Sequence, residues 1–250
     1  HETKNDAMRG VVREAAERGA DWVLLPEYWP LMGARDTDKL AFAEPLGAGA
    51  FQTAMSEIAR ECNIVLFGGT VPLKSVEAGK VLNTLLVYGR DGAPIGAYDK
   101  MHLFGYSGLG ERYAEADTIT AGAAVPRLSA DGINVAAGVC YDVRFPEFFR
   151  AQQPFEVLLL PAAFTHTTGQ AHWTLLLRAR AVENQCYVVA AAQGRVVYSN
   201  PRAPTLFDSP HLVGSDLPTR LSALHSHLPP LPAEGPDVLL PAGPPPLLYP

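Results

Sequence analysis

Residues 133–149, INVAAGVCYDVRFPEFF, place a thiol where an apolar run meets a charged, proline-containing segment. The apolar residues before Cys140 are typical of a strand that is buried on both faces. The segment after it, which begins YDVRFPE, is typical of the first turns of a helix. Because the start of a helix favours negative charge, Cys140 is suited to act as a nucleophile. Cysteine is also among the most buried residue types, so a packing role for Cys140 stays open.

Helices and strands alternate on both sides of this junction. Before it, the hydrophobic pattern predicts helices at 4–19 and 51–61, strands at 21–26 and 63–71, and a strand pair within 81–98. After it, the pattern predicts helices at 144–152 and about 170–183, with strands at 156–161 and 186–192. Strands that alternate with helices, together with one hairpin, indicate an α/β layered domain with a mixed sheet.

Composition limits the classes of function. The chain has 250 residues, is 48% hydrophobic and carries a formal charge of −6, which fits one large α/β domain or two small ones. A mildly acidic chain has no basic footprint, so we expect neither nucleic acid nor a membrane surface as its partner. No apolar segment approaches ~20 residues, and no signal-like stretch opens the sequence, so we expect a cytoplasmic protein.

Three cysteines could in principle form disulfides or bind a metal, and two histidines could bind a metal. Cys62, Cys140 and Cys186 lack CxxC spacing, which argues against both a disulfide framework and a structural zinc site. Cys186 lies in an apolar run and is predicted to pack in the core. His166 and His172 do not share a helix face, so we predict capping or packing roles for them and no metal site.

Polar residues also follow two other predicted strands. Glu27 comes directly after the strand that contains WVLLP, and Lys100 and His102 follow the second strand of the hairpin. In α/β sheets, ligands bind in the crevice outside the strand ends, so these groups and Cys140 could converge there. Each residue alone is weak evidence, since a Glu after Pro is commonly a turn residue, and His102 is expected to make local hydrogen bonds. Together, a carboxylate base, a thiol nucleophile and an ammonium oxyanion stabiliser suit acyl transfer.

The segments that carry these residues resemble the signatures of a known family. The resemblance rests on LLPEYWP (24–30), YDKMHLF (98–104), GVCYDVRFPE (138–147) and AHWTLLLRARAVENQCYVVAAAQ (171–193). In this order and spacing they are similar to the nitrilase superfamily of carbon–nitrogen hydrolases, over roughly residues 4–193. The phrasing of the last segment is most similar to the amidase branch that includes omega-amidase and deaminated-glutathione amidase.

The resemblance implies an αββα sandwich that forms a homodimer or a higher homo-oligomer. It also implies hydrolysis of a non-peptide amide through a thioester, without a cofactor. Cys140 would be the nucleophile and Glu27 the base, while Lys100 and the backbone N–H of Tyr141 would hold the oxyanion. YAEADT places Glu115 where the family has a second glutamate, which would keep Lys100 charged and positioned.

Two further residues are expected to bind the substrate. In the omega-amidase-like branch, an arginine at the position of Arg144 and a threonine at the position of Thr168 contact a substrate carboxylate. A small carboxylated amide, such as a 2-oxo-dicarboxylic acid monoamide or deaminated glutathione, would fit this arrangement. A salt bridge from Arg144 to Asp142 or Glu147 is an equal alternative from the sequence.

The sequence departs from the family pattern at both ends. The family's first strand should precede residue 4, so the chain is expected to lack it. After residue 193, prolines cluster and only 219–228 is predicted as a helix. Residues 1–193 are therefore the predicted hydrolase domain. Residues 194–250 are predicted to be a mostly irregular, Pro-rich segment without central strands. A deletion and an out-of-frame tail both stay open as its origin.

These departures keep two other functions open. A catalytically impaired remnant of the fold, which binds a ligand or a partner without turnover, is one alternative. Acyl transfer to an amine or a lipid is the other, and it has less support because no membrane-spanning segments accompany the domain.

Overall fold

The computed structural model describes most of the first 215 residues, namely 2–31, 35–108, 111–164, 168–192, 195–199, 207–209 and 214–215. All of these residues belong to the first of the two units, 1–217 and 218–250, into which the chain divides. Among them, no helix is both long enough and apolar enough to span a bilayer.

Helices and strands alternate as the hydrophobic pattern predicts. The elements before the junction are α1 (Glu2–Glu17), β1 (Ala20–Leu24), α2 (Ala50–Cys62), β2 (Val65–Lys74), β3 (Val81–Tyr88) and β4 (Pro94–Asp99). Three short strands that the sequence analysis missed follow, namely β5 (Gly105–Gly108), β6 (Glu111–Ala114) and β7 (Leu128–Ala130). Next come β8 (Ile133–Ala137), α3 (Pro146–Arg150), β9 (Val157–Ala162), α4 (Thr174–Asn184) and β10 (Tyr187–Ala192). The last described strands are β11 (Arg195–Ser199), β12 (Phe207–Ser209) and β13 (Gly214–Ser215).

Two sheets form the centre of the described fold. One has five strands in the order β13-β1-β2-β3-β4, and the other has six in the order β12-β11-β10-β9-β8-β7. The strand pairs that are separated by a crossover helix run parallel, namely β1 with β2, β8 with β9, and β9 with β10. The strands β5 and β6 form a separate hairpin.

Helices cover the outer face of each sheet. Helices α1 and α2 pack on the first sheet through side chains that are fully buried, such as Val12, Phe51 and Ile58. Burial of one such side chain stabilises the fold by roughly 1.5–3 kcal/mol. Helix α4 packs on β10, and α3 packs on α4. The predicted αββα sandwich is therefore confirmed.

The inner faces of the two sheets pack closely together. Gly96 on β4 lies so near Leu128 on β7 that a Cβ at position 96 would be 2.3 Å from the Leu128 side chain. At another point, Trp22 Nε1 donates to Asp131 Oδ2 over 2.8 Å, and Arg90 also donates to both carboxylate oxygens of Asp131. These polar contacts tie the first sheet to the turn between β7 and β8.

The segment after residue 193 differs from the prediction. Strand β11 lies between β10 and β12, and β13 pairs with β1, so the expectation that this segment supplies no central strand is wrong for 195–199. The reason is local, because RVVYS is rich in β-branched and aromatic residues and contains none of the prolines on which the expectation rested. Residues 207–209 and 214–215 of the predicted irregular segment also form short strands, β12 and β13. The rest of that segment after residue 199 and the predicted helix at 219–228 lie outside the described residues. The division of the chain at 193 and the missing first strand stay predictions.

Candidate active site

Cys140 lies three residues after the end of β8 and begins a short 3₁₀ helix, Cys140–Arg144. Its backbone φ is +49°, a left-handed conformation that costs a non-glycine residue roughly 1–2 kcal/mol. Such strain is concentrated at functional sites, where surrounding contacts hold it in place. Gly138 permits the tight approach of this turn to the helix behind it, since a Cβ there would be 2.9 Å from the ring of Phe149.

The turn borders a cavity at the edge of the second sheet. Five of the predicted site residues contribute to its wall, and the described residues that line it are Phe104, Glu115, Cys140, Tyr141, Arg144, Ala163, Phe164 and Thr168. The ring of Tyr141 packs edge-on against Phe104 and Phe145, which fixes the residue directly after the thiol.

Glu27 follows β1 and is 4% exposed. Its two carboxylate oxygens have different partners. Oε1 accepts hydrogen bonds from Asn83 Nδ2 at 2.9 Å and from Lys100 Nζ at 3.1 Å. Oε2 accepts the backbone N–H of Ala163 at 2.7 Å. Ala163 follows β9 and lines the cavity beside Cys140, so the carboxylate joins residues from both sheets.

Lys100 follows β4, and its side chain is fully buried. Its Nζ lies 3.1 Å from Glu27 and 2.8 Å from Glu115, whose Oε2 also accepts the Phe104 N–H at 2.7 Å. Burial lowers the pKa of Lys100, but the negative charges of Glu27, the thiolate form of Cys140 and Glu115 outweigh it, and the net pKa is raised. Lys100 is therefore an ammonium ion at neutral pH. Burial raises the pKa of Glu115, and the charge of Lys100 opposes that rise.

The thiol of Cys140 is protonated at rest. Burial raises its pKa well above the ordinary value, and the negative charge of Glu27 raises it further. The charge of Lys100 and a hydrogen bond from the Ala163 N–H oppose this rise without cancelling it. Burial thus opposes the thiolate that the start of the helix is expected to favour. A base is needed to ionise the thiol, and Glu27 lies beside the same Ala163 amide.

Asp142 is a site residue that the sequence analysis missed. It is fully buried and accepts hydrogen bonds from Val139 N at 2.7 Å, Tyr98 OH at 2.8 Å and His102 Nδ1 at 2.7 Å. The carboxylate thereby ties the turn of Cys140 to β4 and to the loop after Lys100. His102 stacks on a phenylalanine and bonds to Asp142, so its predicted local hydrogen-bonding role is confirmed.

Arg144 lines the cavity, and the described residues include no carboxylate partner for it. Its guanidinium lies over the rings of Tyr141 and Phe164, at 5.6 and 5.7 Å from their centroids. Its Nη2 lies 3.3 Å from His172 Nδ1, and its Nε is buried with no hydrogen-bond partner among the described residues. The alternative salt bridge to Asp142 or Glu147 is absent from the described ion pairs, because Asp142 faces the other way, towards β4.

The remaining candidates lie elsewhere or serve other roles. Cys186 is 1% exposed and contacts the carbonyl of Arg180, as predicted for a core residue. His166 lies outside the described residues, and within those residues no group of three His, Cys, Asp or Glu side chains could hold a metal ion. Tyr141 and Thr168 line the cavity, and the roles predicted for the Tyr141 N–H and for Thr168 stay predictions.

Two more polar groups beside Glu27 were missed. Asn83 lies within a predicted apolar strand, VLNTLLVY. Its single side-chain amide among apolar residues was the signal that could have identified it. Tyr28 follows Glu27, with its hydroxyl buried and without a partner among the described residues. Burial raises the pKa of Tyr28, and the charges of Glu27 and Glu115 raise it further.

Comparison with known proteins identifies the family. The chain belongs to the carbon-nitrogen hydrolase family, whose sequence pattern matches residues 6–226. It is 40% identical to Omega-amidase NIT2 of Homo sapiens over 188 residues, which are 74% of this chain and 66% of that protein. It is 39% identical to a deaminated glutathione amidase of Synechocystis sp. over 185 residues, covering 72% of this chain and 67% of that protein. The chain thus spans about two thirds of the length of these relatives.

A solved structure shows the same fold. Nit3 of Saccharomyces cerevisiae, described as a member of branch 10 of the nitrilase superfamily, superimposes with a TM-score of 0.71 at 26% sequence identity. The superposition covers 80% of this chain and 77% of the yeast protein. The resemblance to the nitrilase superfamily that the sequence motifs indicated is confirmed.

Proposed function

We propose that this protein hydrolyses the C–N bond of a small amide through a thioester on Cys140. The observation that carries the proposal is the arrangement around Glu27, whose carboxylate bonds to Lys100 and to the Ala163 amide beside the thiol. Membership of the carbon-nitrogen hydrolase family supports the same reaction class.

In the first step, Glu27 takes the proton of the Cys140 thiol while the sulfur attacks the carbonyl carbon of the amide. The carbonyl oxygen becomes an oxyanion as the C–S bond forms. The Lys100 ammonium and the backbone N–H of Tyr141 stabilise this oxyanion, each by about 3 kcal/mol in comparable sites. Glu115 holds Lys100 in place during the step.

In the second step, the tetrahedral intermediate collapses and the C–N bond breaks. Glu27 returns its proton to the leaving nitrogen, so ammonia or an amine departs neutral and a thioester remains. In the third step, Glu27 takes a proton from water as the water oxygen attacks the thioester. The C–S bond then breaks, the proton returns to sulfur, and a carboxylic acid is released. The three steps use only water and the side chains of the chain.

Arg144 supports a substrate that carries a carboxylate. Its buried Nε has an unused N–H, and a planar guanidinium binds a carboxylate through two parallel hydrogen bonds. Thr168 borders the same cavity and can assist. The two relatives are named an omega-amidase and a deaminated glutathione amidase, and both names describe amides of this general kind.

The reaction is tested with the purified chain and glutaramate-like amides. We expect release of ammonia and a transient covalent adduct on Cys140 that mass spectrometry detects. Cys186→Ala is the matched control, and it should form the adduct normally. Absence of ammonia together with absence of any adduct would refute the proposal, and so would an adduct on another cysteine.

The substrate class is tested by Arg144→Lys. Lysine keeps the charge but loses the second parallel hydrogen bond, so KM for a carboxylated amide should rise about tenfold or more. Turnover of an uncharged amide of the same length should hardly change. Equal effects on both amides would contradict a carboxylate-binding role for Arg144.

One argument for the alternative function, a protein that binds a ligand or a partner without turnover, is weakened. It rested on missing central strands after residue 193, and β11 lies inside the second sheet. The expected homodimer and the expected cytoplasmic location stay predictions.

A further inference from the structure

Asn83 is a fully buried polar residue on β3, a strand whose other residues are mostly apolar. Its backbone carbonyl accepts the N–H of Lys100 at 2.9 Å. Its side-chain Nδ2 donates to Glu27 Oε1 at 2.9 Å. One residue of β3 therefore contacts both ionised groups of the proposed reaction, Lys100 through the main chain and Glu27 through the side chain.

Because of this contact, the two carboxylate oxygens of Glu27 have different hydrogen-bond partners. Oε1 receives both side-chain donors, Asn83 and Lys100, whereas Oε2 receives the Ala163 N–H. Ala163 lines the cavity beside Cys140. Oε2 is thus the oxygen on the thiol side, and it keeps a lone pair for the proton.

We propose that Asn83 is a positioning residue for the general base. It holds Glu27 through Oε1 so that Oε2 stays directed at Cys140. This inference rests on the proposed function. Lys100 cannot do this alone, because its ammonium is shared with Glu115 and with the oxyanion that forms during the reaction.

The carbonyl oxygen of the Asn83 side chain also supports a positioning role for this residue. Asn83 Oδ1 is buried and has no hydrogen-bond partner among the described residues. An unsatisfied buried acceptor costs free energy, so a residue chosen for packing alone would be apolar. The reversed amide would place two oxygens 2.9 Å apart at Glu27, so the observed orientation is fixed by the carboxylate.

The sharpest test is Asn83→Asp, which keeps the shape of the side chain and replaces the donor by a second carboxylate. Two carboxylates that share a site cannot both ionise freely, so the pair should hold a proton up to a higher pH. We expect the acidic limb of the kcat/KM profile to move up by about one pH unit or more. An unmoved acidic limb would overturn the inference.

Asn83→Ala removes the donor without adding a charge. It should lower kcat by roughly tenfold to a hundredfold while KM changes little, because the base is misplaced and substrate contacts are intact. Its acidic limb should move in the same direction as that of Asn83→Asp, but less. If Asn83→Asp does not fold, the inference is tested with Asn83→Ala alone. An unchanged kcat in that variant overturns the inference.

Gln52→Glu provides the matched control. Gln52 is also a buried amide that donates to a buried carboxylate, Glu44, but this pair lies at the start of α2. The substitution should lower stability and leave the acidic limb in place. A shift equal to that of Asn83→Asp would show a general effect of buried charge and would overturn the inference.

A second readout separates this inference from the proposed function. The rate of Cys140 alkylation by iodoacetamide reports thiolate formation without any amide. Asn83→Asp should move the alkylation profile to higher pH, since a negative charge is added near the thiol. Wild-type protein that releases no ammonia refutes the proposed function, whereas superimposable alkylation profiles of the two proteins refute the role of Asn83.

Discussion

Two buried thiols, Cys140 and Cys186, lie in contrasting parts of this molecule. Cys186 precedes β10, is 1% exposed, and contacts the main-chain carbonyl of Arg180. Cys140 is nearly as buried, at 8% exposed, but it lies at a strained turn beside Glu27 and Lys100. Burial is the largest cause of a raised pKa in both thiols, and it lifts the pKa of Cys186 to about 12.

The comparison indicates that burial alone does not distinguish the thiol that we propose as the nucleophile from the thiol that packs in the core. The difference lies in the neighbours, because Cys140 has a carboxylate that can take its proton and a cavity that can admit a substrate. The carboxylate whose charge acts on Cys186, that of Glu183, is paired with Arg180, and Cys186 is not among the described residues that line the cavity. The predictions below test this contrast, in order of decreasing effect.

The largest effect is expected from removing the two thiols in turn. Cys140→Ala should abolish amide hydrolysis and the covalent adduct, because no other nucleophile lies beside Glu27 in the described structure. Cys186→Ala should keep kcat and KM and lose about 1 kcal/mol of the free energy of unfolding. Ammonia release and denaturant unfolding measure the two quantities. Equal loss of activity in both variants, with stability unchanged, would contradict the assignment of different roles to Cys140 and Cys186.

The next effect concerns the contacts that hold the turn of Cys140. Asp142→Asn removes the charge that binds Val139, Tyr98 and His102, so the thiol should shift relative to Glu27. We expect kcat to fall by roughly tenfold to a hundredfold, as measured by steady-state kinetics.

Asp131→Asn is the control for that experiment. Asp131 also accepts several side-chain hydrogen bonds, from Trp22 and Arg90, but it joins the sheets away from the cavity. Its variant should be less stable and equally active. Loss of activity in the Asp131 variant alone would contradict the assignment of Asp142 to the turn.

A smaller effect is expected in the pH dependence of alkylation. Because the pKa of Cys140 is raised well above its ordinary value, its reaction with iodoacetamide should still accelerate above pH 9. Cys186 should stay unlabelled in the folded protein at the same pH values. Peptide mass spectrometry after timed alkylation resolves the two sites. A rate plateau for Cys140 near pH 8 would show that the thiol is not held protonated.

The smallest effect is expected in stability at alkaline pH. The pKa of Cys186 is about 12 in the folded protein and ordinary in the unfolded chain, so its stabilising contribution is complete below about pH 9. That contribution is lost as pH rises from 9 through 12, because the unfolded thiol ionises first. Cys186→Ala should therefore flatten the decline of the unfolding free energy over this range. Parallel curves for the two proteins would argue against a thiol that is protonated by burial.

Much of the fold and site could be predicted because strand ends carry readable signals. Glu27, Lys100 and Cys140 each follow a predicted strand, and the structure brings all three together. Strands β5–β7 were missed, since three or four residues are too few to show a period. Strand β11 was missed because the surrounding prolines dominated the interpretation of a segment that itself contains none.

The polar residues that support the site were harder to predict. Asn83 interrupts an apolar strand, and the sequence does not show that Glu27, 56 positions earlier, lies opposite its amide. Asp142 looks like an ordinary acidic residue at a helix start, and its donors come from β4 and the loop after Lys100. Both residues depend on contacts between distant segments, which only the folded chain creates.

The left-handed backbone of Cys140 has a consequence for how this sequence can change over time. Glycine adopts a φ of +49° without steric cost, so Cys140→Gly should be more stable than Cys140→Ala by about 1 kcal/mol. If the proposed reaction holds, the strained backbone at position 140 is a cost in stability that the chain bears for its nucleophile. A copy released from that reaction would tolerate glycine there better than any other small residue.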